Sequence, residues 1–257
     1  MRSAAVSSVS TVATSFAKTL GGWIRRTFNP VYAKLGPATA ADSPNVVELR
    51  AHLFELLGYY GKDPQIIAEA SQLAAKYIAD PGSVDPNLGQ TALSIAARNG
   101  DSALFDKLQN VAETSSNPEF QEGALRMLAE FEDQALAQRS LDYAISGKVR
   151  SQDAAIQIAY GLSIDANRDL AWSFTQAHWD KISTLLTPEL GSILVNSTGS
   201  FCSATARDDV QSFFTAHPVP AAETELKHAI ERINGCIEMR RLQEPRLKEW
   251  LAEQAKP

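Results

Sequence analysis

Histidine is the side chain most often used to bind zinc or move protons at neutral pH, and this sequence has four. They are His52, His178, His217 and His228, widely separated along the chain. A zinc-peptidase helix needs the pattern H-E-x-x-H, but the residue one turn after His228 is Arg232. No glycine-rich phosphate loop and no G-x-S-x-G nucleophile turn is present. The sequence therefore predicts no catalytic residue and no metal ligand in this chain.

The second candidate for chemistry is the cysteine pair, Cys202 and Cys236. Two cysteines are too few for a disulfide framework or for a thiolate zinc site. Free cysteine usually behaves as a small, buried apolar residue. We therefore expect two reduced and mostly buried thiols, and no cofactor bound by this chain.

The most distinctive polar run is GKVRSQD at 147–153, between two predicted helices. Ser151 can cap the helix that follows, and the dipole at the start of a helix favours a nearby anion. Arg150 could bind a carboxylate through its guanidinium. The alternative is a capped loop in solvent with no ligand.

Four tryptophans, at 23, 172, 179 and 250, are the remaining candidates for a ligand site. Trp172 and Trp179 are seven residues apart, which places them on one face if a single helix carries both. An aromatic cage is one interpretation, but packing between helix layers is the more ordinary use of such rings. We predict that these tryptophans belong to the core.

The elements that must position these residues are predicted to be helices. The chain has 257 residues, 44% of them hydrophobic, and 38 are alanine, the strongest helix former. This composition is globular, which excludes a disordered or disulfide-rich protein. The net charge of -6 argues against a general nucleic-acid or anionic-membrane binder. No apolar stretch is long enough to span a membrane.

A helix–turn–helix unit recurs along the middle of the chain. Each copy has an apolar helix, an aspartate at the turn and a second amphipathic helix. The aspartates are Asp63, Asp101, Asp133 and Asp165, which are 38, 32 and 32 residues apart. Capping of the second helix explains each of them. The repeat predicts an all-α protein, an α-solenoid superhelix of antiparallel, HEAT-like helix pairs. An irregular helical bundle is the alternative.

We expect one domain over 1–257, with first helices and a loop in 1–45 and stacked helix pairs in 46–257. The first segment is basic before Asp42 and rich in serine and alanine, a composition similar to a transit peptide. Helical spacing of its apolar residues favours a genuine first helix or two, and we favour a cytoplasmic protein. The last long helix is predicted to end near Pro245, before a short terminal helix.

Seven segments resemble the C-terminal helical domain of the gluzincin zinc aminopeptidases, in the same order. That family includes the puromycin-sensitive, insulin-regulated, endoplasmic-reticulum and bacterial aminopeptidase N types. The resemblance runs from about residue 20 to residue 251. The segments are FNPVYAKLG at 28–36, VRSQD at 149–153, LAWSF at 170–174, HWD at 178–180, SFCS at 200–203, VQSFF at 210–214 and LKEWL at 247–251.

The resemblance implies a HEAT-like superhelix that covers a catalytic domain and encloses the peptide substrate. It also implies that Arg150, Gln152 and Asp153 face the peptide cavity. The family's zinc lies in its catalytic domain, and neither the H-E-x-x-H helix nor the G-A-M-E-N run is present here. The expected partners are a catalytic domain, in the same chain or another, and a peptide, but no nucleic acid.

Two functions from different classes therefore remain open at this point. The first is a non-catalytic aminopeptidase domain, as a fragment, a split gene product or a stand-alone relative. The second is an independent helical-repeat scaffold that binds a protein or peptide, since solenoids commonly use their concave surfaces in this way.

Overall fold

The computed structural model describes residues 2–39 and 41–254, and within them it contains helices and no β-strand. None of these helices is long and apolar enough to cross a membrane. The apolar side chains before residue 17, part of the predicted first stripe, lie outside the described residues. The helices are α1 Arg2–Leu35, α2 Pro44–Tyr59, α3 Pro64–Ala79, α4 Pro86–Arg98, α5 Ser102–Thr114, α6 Pro118–Met127, α7 Gln134–Ala144, α8 Ser151–Ser163, α9 Arg168–Ala177, α10 Trp179–Ser183, α11 Pro188–Ser197, α12 Ala204–Ala216 and α13 Glu223–Gln254.

The all-α prediction is confirmed, and helices that are neighbours in sequence pack against each other. The pairs include α1 with α2, α2 with α3, α5 with α6, α7 with α8 and α8 with α9. This pairing is typical of a helical-repeat domain, in which each helix buries its apolar stripe on the next.

The chain forms two compact units, and the prediction of one domain over 1–257 stays a prediction. Unit 1 contains the described residues up to Ala96 and those from Gln243 onward, and unit 2 contains Ala97–Leu242. The core of unit 1 is built around the fully buried Phe54 and Leu57. The core of unit 2 runs from Leu141 to Ile233 and includes Trp172.

Three of the four repeat aspartates cap helices as predicted. The carboxylate of Asp63 accepts hydrogen bonds from the backbone N–H groups of residues 65 and 66, at the start of α3. Asp101 does the same for α5 and Asp133 for α7. These bonds satisfy donors that have no partner inside the helix.

The prediction for the fourth aspartate is wrong. Asp165 has a side chain that is 94% exposed, and it pairs with Arg168 instead of capping α9. The buried polar residue at this turn is Asn167, which is 2% exposed. Its Nδ2 donates to the carbonyl oxygens of Ala129 at 3.1 Å and Phe131 at 2.9 Å. The turn is therefore fixed by a contact across the fold rather than by a local cap.

The end of the chain also differs from its prediction, because α13 continues through Pro245 to Gln254. Proline removes one backbone donor and disfavours a helix interior. Packing beyond it compensates: Leu251 is 2% exposed, and Trp250 lies edge-on to Trp23 with ring centroids 5.0 Å apart.

The predicted core role is confirmed for Trp172, which is buried, while Trp179 is partly buried against the same cluster. The prediction is wrong for Trp250, which is 37% exposed. A single helix does not carry both Trp172 and Trp179. α9 ends before His178 and α10 begins at Trp179. Both indoles nevertheless pack on Phe213, with ring centroids 5.1 and 5.2 Å away.

The prediction of two reduced thiols is wrong, since Cys202 and Cys236 form a disulfide. Cys202 lies just before α12, and Cys236 lies in the middle of α13. Their Cα atoms are 5.3 Å apart, within the range that a disulfide requires. A count of two cysteines carries no information about this proximity, which tertiary packing creates.

Candidate functional site

The polar run at 147–153 lies at the edge of a cleft of about 120 Å³ within unit 2. Helices α5, α6 and α7, the 145–150 turn and the start of α8 form its walls. The turn depends on Gly147, whose φ of 88° lies in the left-handed region that glycine adopts without strain. The residues that line the cleft are Ala112, Gln121, Glu122, Leu125, Tyr143, Lys148, Val149, Arg150 and Asp153.

Two of the three predicted site residues, Arg150 and Asp153, are brought together at this cleft. Arg150 Nε donates to Asp153 Oδ2 at 2.6 Å. This hydrogen bond, together with the charge of Asp153, raises the pKa of Arg150. The Arg150 side chain is 76% exposed, whereas that of Asp153 is 9% exposed. Arg150 was expected to bind a carboxylate, and in this structure it binds the carboxylate of Asp153 in its own chain.

Gln152, the third predicted residue, is exposed and does not line the cleft. The expected Ser151 cap is also absent, because α8 begins at Ser151 itself and Arg150 occupies the capping position without a side-chain cap bond. Asp153 in the first turn supplies the negative charge that a helix start favours. The carboxylate of Asp153 therefore complements the helix dipole and holds Arg150 at the same time.

Tyr143 forms the inner wall of the cleft, and sequence reasoning missed it. Burial raises the pKa of Tyr143 to about 12, with a further contribution from the Glu113 carboxylate that it hydrogen bonds. The pKa of Glu113 is lowered, mainly by the hydrogen bond from Gln109. No signal in the sequence points to Tyr143, because its partner is on another helix, 30 residues earlier.

This pKa shift gives the cleft a measurable pH dependence. The folded state keeps the Tyr143 proton to a higher pH than the unfolded chain, whose tyrosine pKa is 10.0. The resulting stabilisation is complete below pH 10 and is lost as the pH rises toward 12. We expect the free energy of unfolding, measured by urea titration, to fall more steeply over this interval in the wild type than in Tyr143→Phe. Equal slopes would contradict the assignment.

A second recess, of about 540 Å³, lies elsewhere in unit 2 and is mostly apolar. Trp179, Leu186 and Val219 line it together with the exposed His217, whose ring stacks on Phe213 at 4.4 Å. The sequence offers no signal for this recess, because it is formed by two segments, 179–188 and 217–221, that are far apart in the chain.

The described residues do not offer a metal site. Among them, no group of three or more histidine, cysteine, aspartate or glutamate side chains could hold a metal ion. The cleft provides cations, carboxylates and a phenol for binding, with Lys148 and Arg150 at its rim.

Helices packed in sequential pairs, with a polar cleft between them and no metal site among the described residues, define a helical-repeat domain. The chain matches the family model described as ERAP1-like C-terminal domain over residues 2–235. It therefore belongs to this family, the C-terminal helical domain of M1 aminopeptidases. The resemblance read from its sequence motifs is confirmed.

Curated relatives agree with this membership. Aminopeptidase 2 of Candida albicans is 25% identical over 218 residues, covering 83% of this chain and 24% of the relative. Aminopeptidase M1 of Arabidopsis thaliana is 27% identical over 198 residues, covering 72% of this chain and 22% of the relative. Alanine/arginine aminopeptidase of Saccharomyces cerevisiae is 29% identical over 143 residues, covering 54% and 17%. The chain thus spans at most about a quarter of these relatives.

Proposed function

We propose that this chain is the non-catalytic, substrate-enclosing and regulatory domain of a zinc-dependent aminopeptidase. It would shape the peptide cavity over a catalytic domain, supplied by the same chain or by another. The observation that carries the proposal is the family match over residues 2–235, combined with relatives that are named aminopeptidases. The reaction's zinc would belong to the catalytic domain, since the described residues of this chain do not fit a metal.

The cleft supports a role in holding the distal part of a peptide. The Arg150 guanidinium is fixed by Asp153 through Nε, yet most of its surface remains accessible. A fixed guanidinium loses less conformational entropy when it binds a carboxylate or carbonyl group. Gln152, two residues after Arg150, is exposed and carries both a donor and an acceptor for a peptide backbone. Lys148 adds a second cation at the rim.

Such binding can assist a reaction that takes place elsewhere. Contacts with the remote end of a substrate supply binding energy that positions its reacting end. The Arg150–Asp153 pair would then act on peptides long enough to reach the cleft. Short aminoacyl reporters would be cleaved at the same rate with or without this contact.

A reconstitution experiment tests this role. We would add the chain to the catalytic domain of a related aminopeptidase and measure kcat/KM for a long peptide and for an aminoacyl reporter. We expect Arg150→Ala to raise KM for the long peptide about tenfold, equivalent to ~1.4 kcal/mol, and to leave the reporter unchanged. The matched control is Arg241→Ala, which removes another exposed arginine paired with an acid three residues away. The proposal would be contradicted if both variants lost the same amount of activity toward the long peptide, or if neither variant lost any.

The isolated chain provides a separate test. A catalytic gluzincin needs two histidines one helical turn apart, a further carboxylate ligand and a general-base glutamate. We expect the purified chain to hold less than stoichiometric zinc and to show no aminoacyl hydrolysis above background. One equivalent of zinc with chelator-sensitive turnover, in a preparation free of host aminopeptidase, would overturn the non-catalytic assignment.

The apolar recess beside Trp179 favours the second candidate, a stand-alone scaffold that binds a protein or peptide. Its lining is mostly apolar and includes the exposed Pro188, Pro218 and Ala221, which offer an apolar contact surface outside the polar cleft. If the chain neither bound peptides nor restored activity, a scaffold that binds a protein would become the preferred function.

A further inference from the structure

The Cys202–Cys236 disulfide is a feature that the proposed peptide-binding role does not use. Cys202 follows the short turn that ends at Ser200, and Cys236 lies in α13, 34 residues later in the sequence. Both residues are half-buried, so a small thiol reagent can reach them more readily than a core residue. The bond therefore joins the segment before α12 directly to α13.

Other contacts hold α13 beside α11 and α12 and bring the two sulfur atoms together. Ile233, one turn before Cys236, is fully buried in the same apolar cluster as Val210 of α12. Arg232 donates from Nη1 to Asn196 Oδ1 of α11 at 2.7 Å. Arg207 of α12 donates from Nη1 to Asn234 Oδ1 at 3.1 Å. Because these contacts do not involve sulfur, folding itself places the two thiols at bonding distance.

We propose that Cys202–Cys236 is a structural disulfide of the working protein, and that the protein therefore works in an oxidising compartment. The bond forms by exchange with a small disulfide such as glutathione disulfide. One thiolate attacks the small disulfide and releases one glutathione, and the second thiolate then displaces the other. Two protein thiols are oxidised, one glutathione disulfide is reduced to two glutathione thiols, and the two protein protons pass to those products.

The proposal follows from the chemistry of disulfides in cells. They persist in oxidising compartments, whereas glutathione and thioredoxin keep cytosolic thiols reduced. The compartment inferred here differs from the cytoplasm favoured on the sequence, where two reduced thiols were expected. It does not depend on the proposed aminopeptidase role.

Thermal unfolding tests the structural contribution of the bond. A disulfide closing a loop of this length restricts the unfolded chain, and its loss lowers the Tm by roughly 5–10 °C in a protein of this size. We expect dithiothreitol to lower the Tm of the wild type to that of the Cys202→Ser/Cys236→Ser double variant. The same reagent should leave the double variant unchanged, which makes that variant the matched control. A wild-type Tm that does not change when dithiothreitol is added would overturn the proposal.

Alkylation before cell lysis tests the compartment. It uses the wild-type protein, so the result does not depend on whether a variant folds. Cells that make the protein naturally would be treated with N-ethylmaleimide, and the mass of the purified protein would then be measured. We expect no added maleimide without reduction, and two added groups per chain when denaturation and reduction precede the labelling. Two groups on the unreduced protein would show free thiols in the cell and overturn the proposal.

Discussion

Replacing Trp172 by alanine should lower the free energy of unfolding by about 3–5 kcal/mol, the usual cost of removing a large buried aromatic side chain. The residue is 5% exposed, and its ring centroid is 5.1 Å from that of Phe213 and 5.8 Å from that of Phe214. Its Nε1 donates to Asp209 Oδ2 at 2.6 Å. Alanine would leave a cavity between these rings and remove a donor from the carboxylate. Urea unfolding monitored by circular dichroism measures the difference.

Two further variants separate the contributions at this site. Trp172→Phe keeps an aromatic ring but loses the indole donor, so its cost should be smaller, about 1–2 kcal/mol. Arg150→Ala should change stability by no more than about 0.5 kcal/mol, since the side chain is largely exposed. If Arg150→Ala were as costly as Trp172→Ala, Arg150 would be a structural residue and would leave the list of peptide-cavity candidates.

Replacing Asn167 by alanine should cost about 2–4 kcal/mol, because two buried carbonyl groups would each lose a donor. Those groups belong to Ala129 and Phe131, both of which are buried. Water cannot easily replace the amide at a site that is only 2% exposed. The measurement is again the urea midpoint and slope, and an unchanged slope would show that the denatured state is unaffected.

The matched control is Asp165→Ala, two residues earlier in the same turn. Its side chain is 94% exposed and pairs with the nearby Arg168, so the loss should be about 0.5 kcal/mol or less. If Asp165→Ala lowered the free energy of unfolding more than Asn167→Ala, then Asp165 would hold the turn, as the sequence repeat suggested.

Local interactions explain why so much of the helical structure could be read from the sequence. Asp63, Asp101 and Asp133 cap helices through N–H groups two or three residues away, so each cap depends on a short stretch of chain. Helical periodicity and alanine content likewise depend on neighbouring residues. The seven motifs between residues 28 and 251, taken together in their order and spacing, indicated the aminopeptidase family, which the match over residues 2–235 confirms.

The candidate site could be predicted only in part. The 147–153 run indicated a polar loop before a helix, and the structure places Arg150 and Asp153 at a cleft. The roles of Arg150, Gln152 and Asp153 toward a peptide stay a prediction. Tyr143 could not be found in advance, because its burial and its bond to Glu113 depend on how α7 packs against α5.

By itself, the sequence determined an all-α chain, three of its helix caps and its family, because each rests on local energetics or on ordered motifs. Only the tertiary structure decided the Cys202–Cys236 bond, the buried amide of Asn167 and the continuation of α13 through Pro245. The first two features join residues that are far apart in the chain. In the third, burial of side chains through tertiary contacts overcomes the local preference against proline inside a helix. Their free energy comes from packing that exists only once the helices have assembled.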